Sequence, residues 1–211
     1  ALSITTGGNS DTVDTSAYNQ NDSIVTGSGD DMVKTGGGKD YVDGAAGTDR
    51  LVVNWSSTTK GIVVTEEVWW RVMFQSSRLN PEWSMEARYF ETFDLTGGSG
   101  GDDLRGGNSN DRLVGNAGND TLYGRQGIDI IDGGSGNDRW VADFTNVFTD
   151  VTVNINVAAE VAATVNFAGV ASGASIKNVE SLDIDTGNGA DTITAKNGVF
   201  NDVIETRGGN D

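Results

Sequence analysis

The sequence predicts an all-β fold: a coiled parallel β-solenoid interrupted by β-rich spacers. Three observations carry that prediction. The chain has 30 glycines but one proline, 31 acidic against 14 basic residues, and an aspartate that recurs every nine residues with an apolar residue two places behind it. Glycine at that level without proline excludes collagen and does not resemble a proline-rich linker. An acidic, glycine-rich composition alone would suggest disorder. The fixed phase of the valines, isoleucines and leucines argues against it.

Taken in order, residues 1–52 form a first repeat block, led by the end of a preceding spacer. Asp22, Asp31, Asp40 and Asp49 are nine apart, each followed two residues later by Ile24, Val33, Val42 or Leu51. Asp11 stands eleven residues before Asp22, so one turn there is two residues longer. Residues 53–96 form a spacer. Residues 97–141 are five unbroken nonapeptides, GGSGGDDLR, GGNSNDRLV, GNAGNDTLY, GRQGIDIID and GGSGNDRWV. Their sixth positions are Asp102, Asp111, Asp120, Asp129 and Asp138, and their eighth are Leu104, Leu113, Leu122, Ile131 and Trp140. Residues 142–185 form a second spacer, and 186–211 begin a further block with Asp191, Asp202 and Asp211.

A longer period overlies the short one. Asp49 to Asp102 and Asp138 to Asp191 both span 53 residues. Both intervals open alike (DRLVVNW, DRWVADF) and close alike (FETFDLTGG, VESLDIDTG). Such self-similarity marks a repeat architecture, and the chain reads as a stretch of a longer tandem array.

Nine residues divide into a six-residue turn and a three-residue strand, so two nonapeptides make one coil with a turn on each side. Glycines permit the positive φ values of the turn and let several backbone carbonyls converge. The aspartate directs a carboxylate to the same point, while the apolar eighth residue stacks inward on its equivalents. Six or more hard oxygen ligands suit Ca²⁺ better than Mg²⁺, which demands tighter octahedral geometry. The chain has no histidine and no cysteine, so soft-metal chemistry is excluded. An EF-hand reading of Asp183-Ile184-Asp185 fails because Thr194 stands where the bidentate glutamate belongs.

On these residues the sequence resembles the RTX (hemolysin-type) calcium-binding nonapeptide family over 6–52, 97–141 and 186–211. The resemblance implies a β-roll in which each ion sits between turns 18 residues apart. It takes carbonyls from the second and fourth positions of one turn, from the first and third of the next, and both aspartates. Carried onto this chain, Gly98, Gly100 and Asp102 join Gly115, Ala117 and Asp120. Gly107, Ser109 and Asp111 join Gly124, Gln126 and Asp129. Asn116, Gly118 and Asp120 join Gly133, Ser135 and Asp138. In the first block Gly27, Gly29 and Asp31 join Gly44, Ala46 and Asp49. Asp22 pairs with Asp40, Asp11 with Asp31, and Gly187, Gly189 and Asp191 with Asp211. The Asp11 and Asp191 pairs span 20 residues, and Ala17-Tyr18-Asn19-Gln20 departs from the glycine pattern. About seven Ca²⁺ ions would fill these sites.

Without metal, facing carboxylates repel and three-residue strands bury too little to offset backbone ordering, so binding energy becomes folding energy. Extracellular calcium modules have dissociation constants of roughly 10⁻⁴ to 10⁻³ M. At about 1 mM calcium and the tight end of that range, each site contributes about 1.4 kcal/mol, and seven about 10 kcal/mol, the whole stability of a small domain. At submicromolar cytosolic calcium the same sites contribute almost nothing. The expectation is a calcium-folded structural segment of a large secreted or cell-surface protein; the resemblance adds type I secretion from a Gram-negative bacterium.

A net charge of −17 repels nucleic acid and anionic membrane surfaces, and no apolar run is long enough to span a bilayer. The spacers read as strands over Leu51–Trp55, Gly61–Val68, Phe90–Leu95, Trp140–Phe144, Val151–Val157, Ala162–Phe167 and Val179–Ile184, with turns at Asn80-Pro81-Glu82 and Gly169 to Ser175. They should continue the β-stack, their faces covering the open ends of the rolls. Trp69, Trp70 and Trp83 with Arg71 and Arg78 could plug the solenoid or bind a glycan or cell-surface partner. The second spacer has Ala158, Ala159 and Ser172 at the matching places. The alternative function is therefore a carbohydrate-binding or enzyme-accessory module. Catalysis is not expected, since adjacent Glu66 and Glu67 would face opposite ways on a strand. The mixed fifth positions (Gly101, Asn110, Asn119, Ile128, Asn137) lack the threonine ladder of an ice-binding face.

Overall fold

The structure is a computed structural model that describes residues 1–68, 71–76, 84–156, 161–167, 170–171, 174–196 and 202–211. Among them every regular element is a β-strand. The strands form two sheets that face each other across one apolar core. In spatial order the first sheet runs Ser3–Thr5, Ser23–Val25, Lys39–Asp43, Ser84–Arg88, Arg71–Gln75, Val63–Val68, Asp103–Arg105, Thr121–Tyr123, Arg139–Asp143, Ser181–Asp185, Val203–Glu205. The second runs Thr12–Asp14, Met32–Thr35, Arg50–Asn54, Thr92–Thr96, Arg112–Ala117, Ile130–Ser135, Ser175–Lys177, Val161–Phe167, Val151–Asn156, Thr192–Lys196, with Val170–Ala171 paired off this path.

Within the repeat blocks all pairing is parallel, and successive nonapeptides alternate between sheets. Leu104 lies over Leu122 and Leu122 over Trp140, while Leu113 lies over Ile131, each one 18-residue coil apart. The longer turns shift the register to 20 residues, as in Val13 over Val33 and Ile184 over Ile204. Period 2 alternation sends the eighth residue inward from each short strand. Ile24, Val33, Val42, Leu51, Leu104, Leu113, Leu122 and Ile131 are accordingly fully buried, each contributing roughly 1.5–3 kcal/mol.

The spacers continue the stack, but by a route the sequence did not suggest. In the first, Val63–Val68 runs parallel beside Asp103–Arg105. Arg71–Gln75 returns antiparallel, and Ser84–Arg88 then lies parallel to Lys39–Asp43. Thr92–Thr96 fills the opposite sheet between Arg50–Asn54 and Arg112–Ala117. The second spacer repeats the design in the other sheet. Val151–Asn156 pairs with Thr192–Lys196, Val161–Phe167 runs antiparallel, and Ser175–Lys177 lies beside Ile130–Ser135. Ser181–Asp185 crosses to join Arg139–Asp143 and Val203–Glu205.

Four strands, Arg71–Gln75, Ser84–Arg88, Val170–Ala171 and Ser175–Lys177, were not expected, and three expected ones begin later, at Val63, Thr92 and Ser181. The stretch read as a turn from Gly169 to Ser175 instead contains Val170–Ala171, which folds back to pair antiparallel with Val161–Phe167, and ends where Ser175–Lys177 begins. The spacers also meet the rolls by their edges rather than their faces. The last strand of a block carries a row of unpaired N–H and C=O groups, and pairing satisfies them directly. The expected turn at Asn80-Pro81-Glu82 and the residues Trp69, Trp70, Arg78 and Trp83 lie outside the described residues. Among those described, no helix is long and apolar enough to cross a membrane.

Candidate metal centre

Each nonapeptide turn stacks on the turn one coil away, and a repeated hydrogen bond fixes the stack. The N–H of one aspartate donates to Oδ1 of the next aspartate on the same side. Asp11 donates to Asp31 at 2.8 Å, Asp22 to Asp40 at 2.9 Å and Asp31 to Asp49 at 2.8 Å. Asp102 donates to Asp120 at 2.7 Å, Asp111 to Asp129 at 3.0 Å, Asp120 to Asp138 at 2.8 Å and Asp191 to Asp211 at 2.9 Å. These are the seven pairs that the sequence suggested, the irregular Asp22 and 20-residue pairs among them.

The other carboxylate oxygen turns back into its own loop. A β-carbon placed on Gly97 would collide with Asp102 Oδ2 and with the carbonyl of Gly115. One on Gly115 would collide with Asp120 Oδ2 and the carbonyl of Gly133. The lower aspartate's Oδ2 and the upper turn's first carbonyl thus share one small space that only a hydrogen leaves open. Gly118 shows the backbone requirement as well: at φ 127°, in the left-handed region, a side chain there would also press on the Gly100 carbonyl.

The oxygens are mostly unsatisfied. Asp31, Asp49, Asp120, Asp138 and Asp191 each bury Oδ2 with no hydrogen-bond partner. Asp102 and Asp111 instead accept from their own turns, from Gly98 N–H at 2.8 Å and Gly107 N–H at 2.6 Å. Several of the carbonyls already accept one backbone bond: Gly27 from Ala46, Ala46 from Gly29, Gly98 from Ala117 and Ser135 from Gly118. A carbonyl has a second lone pair to offer. The carbonyls of Gly100, Ser109, Asn116, Gly133 and Gly189 face the backbone of the neighbouring coil.

A buried carboxylate without a partner is costly, and its proton affinity records that. Burial pushes the Asp129 carboxyl up to about 8 and Asp111 up to about 7. It pushes Asp40, Asp49, Asp102, Asp120 and Asp138 up to about 6. Backbone N–H donors work against the shift in each case. Crowding by the stacked neighbour adds to it at Asp129, where Asp111 is the like charge, and at Asp120, where Asp102 is. Arg125 draws Asp111 down slightly, while other basic side chains pair on strand positions, as where Asp94 holds Arg50 at 2.8 Å and Arg112 at 3.0 Å.

All-oxygen donors, two carboxylates per space and orphaned buried charge fit a hard divalent cation of calcium's type. When bound, Ca²⁺ would supply the positive charge that these oxygens lack. Fold and turns together define a calcium-binding parallel β-roll. The family model of the RTX calcium-binding nonapeptide repeat matches in four copies, within residues 16–51, 96–131 and 105–139. The chain therefore carries RTX repeats, which bind calcium. No curated protein matches the chain.

Sequence reasoning missed two carboxylates. Glu91 accepts from Asp49 N–H, and Glu180 from Asp138 N–H, both at 2.8 Å. The signal was present: each glutamate stands 42 residues after the last aspartate of a block and 11 before the first of the next.

Proposed function

We propose that this chain is a calcium-folded structural segment of a large secreted or surface-exposed protein. Its seven aspartate pairs, with the turn carbonyls stacked beside them, hold about seven ions. One observation supports this above the rest: the fold buries carboxylate oxygens that no hydrogen bond reaches. Such a fold is unstable unless cations enter with the charges, so folding is coupled to metal. Millimolar extracellular calcium would then license the roll, and submicromolar cytosolic calcium would leave the chain unfolded for export. The role is mechanical and architectural, not catalytic.

The test is circular dichroism of the 211-residue chain at pH 8, with calcium and with a chelator. Strand signal and a cooperative melt should appear on adding millimolar calcium and vanish on chelation. An unchanged spectrum and melting temperature would overturn the reading.

A further inference from the structure

The seven aspartate pairs leave two buried oxygens over. Of the five buried, unpartnered Oδ2 atoms, three belong to Asp31, Asp120 and Asp191, each of which has a further aspartate one coil on, Asp49, Asp138 or Asp211, bonded to its N–H. Asp49 and Asp138 are the last aspartates of their columns before a spacer. Each is only 1% exposed, and each Oδ2 is unpartnered. No nonapeptide turn lies above them.

What lies above is a truncated turn supplied by the spacer, Tyr89-Phe90-Glu91 over Asp49 and Asn178-Val179-Glu180 over Asp138. A β-carbon on Gly44 would collide with Asp49 Oδ2 and with the carbonyl of Tyr89. One on Gly133 would collide with Asp138 Oδ2 and with the carbonyl of Asn178. Those are the same two neighbours that Gly97 and Gly115 meet inside the block. Tyr89 and Asn178 hold left-handed φ values of 53° and 54°, which non-glycine residues adopt at a cost. Two unlike residues share this strained conformation at equivalent places, and it turns each carbonyl toward the aspartate.

The glutamates complete the match. Each takes the N–H bond that the next aspartate takes elsewhere, its extra methylene offsetting the shorter turn, and keeps a second carboxylate oxygen free of that bond. Among the described residues no lysine or arginine forms an ion pair with Asp49, Glu91, Asp138 or Glu180.

We infer that each spacer closes an additional calcium site at its junction with the preceding block: Asp49, Glu91 and the Tyr89 carbonyl at one, Asp138, Glu180 and the Asn178 carbonyl at the other. Both lie beyond the paired nonapeptide turns, and the inference rests on the calcium reading of those turns. The junction sites would tie each spacer to the roll, so that calcium orders the spacers and not the nonapeptide blocks alone.

The experiment counts calcium per chain by equilibrium dialysis with elemental analysis at saturating calcium. Glu91→Gln and Glu180→Gln keep an oxygen to accept the aspartate N–H. Each should lose one ion per chain, and the double variant two, with strand content retained. Asp120→Asn serves as the control inside the block and should also lose bound calcium. Glutamate variants that bind as many ions as the parent, while Asp120→Asn loses ions, would overturn the junction sites and leave the calcium reading standing. A parent chain that binds no calcium would overturn both. Should a glutamate variant fail to fold, parent crystals soaked in terbium decide. Anomalous peaks beside Asp49 and Asp138 support the sites; peaks between Asp102 and Asp120 without them overturn the sites.

Discussion

The two spacers are built to one plan but occupy opposite sheets. The first places three strands (Val63–Val68, Arg71–Gln75, Ser84–Arg88) in one sheet and a single strand, Thr92–Thr96, in the other. The second places Val151–Asn156, Val161–Phe167 and Ser175–Lys177 where the first has its single strand, and Ser181–Asp185 where the first has three. Each therefore gives one sheet two extra strands, about 10 Å of additional width at the usual strand spacing. Their order of insertion cancels the excess. What decides the side is parity: each nonapeptide is half a coil, and the number of half-coils between the spacers sets which sheet receives the second one.

Deleting one nonapeptide should break this balance most severely. Removing residues 97–105 would send every later strand to the opposite sheet and leave about twelve strands facing eight. Removing residues 97–114, a whole coil, would keep the sheets nearly equal. The shorter deletion should therefore melt at the lower temperature. About four uncovered apolar positions would cost roughly 6–12 kcal/mol. Calorimetry in calcium reads the difference, and a nine-residue deletion as stable as the eighteen-residue one would refute the parity argument.

Acid should act next most strongly, and in a direction peculiar to a chelated chain. The folded carboxyls of Asp129, Asp111 and their neighbours lie above their unfolded values, so between about pH 4 and pH 8 the folded state binds more protons. Stability is present at the acid end of that window and is lost as pH rises through the folded values. The chelated chain should show more strand signal at pH 5 than at pH 8. With calcium the order should reverse, because protons compete with the ion for the same oxygens.

The smallest effect separates the spacer cores. Phe74 in the first is fully buried, its ring 5.7 Å from Trp55 and 6.3 Å from Phe93. The second keeps one ring at its start, Phe144 beside Trp140, and its inserted strands bring aliphatic Val153, Val165 and Ile176 to the core. Phe74→Ala should cost about 3–5 kcal/mol, and Val165→Ala distinctly less. Equal losses of melting temperature would mean the two spacers are not packed as differently as their rings imply.

The repeat blocks were readable in the sequence because their determinants are local. A phased aspartate and a phased apolar residue fix turn, strand and inward face together, and all the aspartate pairs they suggest are neighbours in the fold. The spacers were only partly readable. Ser84–Arg88 carries Met85, Glu86, Ala87 and Arg88, all good helix formers, and becomes a strand because both neighbours offer unpaired edges. Its Glu86 is clasped by Arg88 two residues on and by Arg71 from the neighbouring strand, and the second contact is nonlocal with no periodic trace. Glu91 and Glu180 were passed over because they break the nine-residue phase, although each holds the same place within its 53-residue interval.

The first and last strands in sequence, Ser3–Thr5 and Val203–Glu205, are also the outermost strands of their sheet in space. Tension applied between the two ends would pull along the direction in which the backbone hydrogen bonds point, loading them a few at a time instead of all in shear. The segment would open under load strand by strand from its outermost pairs inward, and would lengthen in small steps.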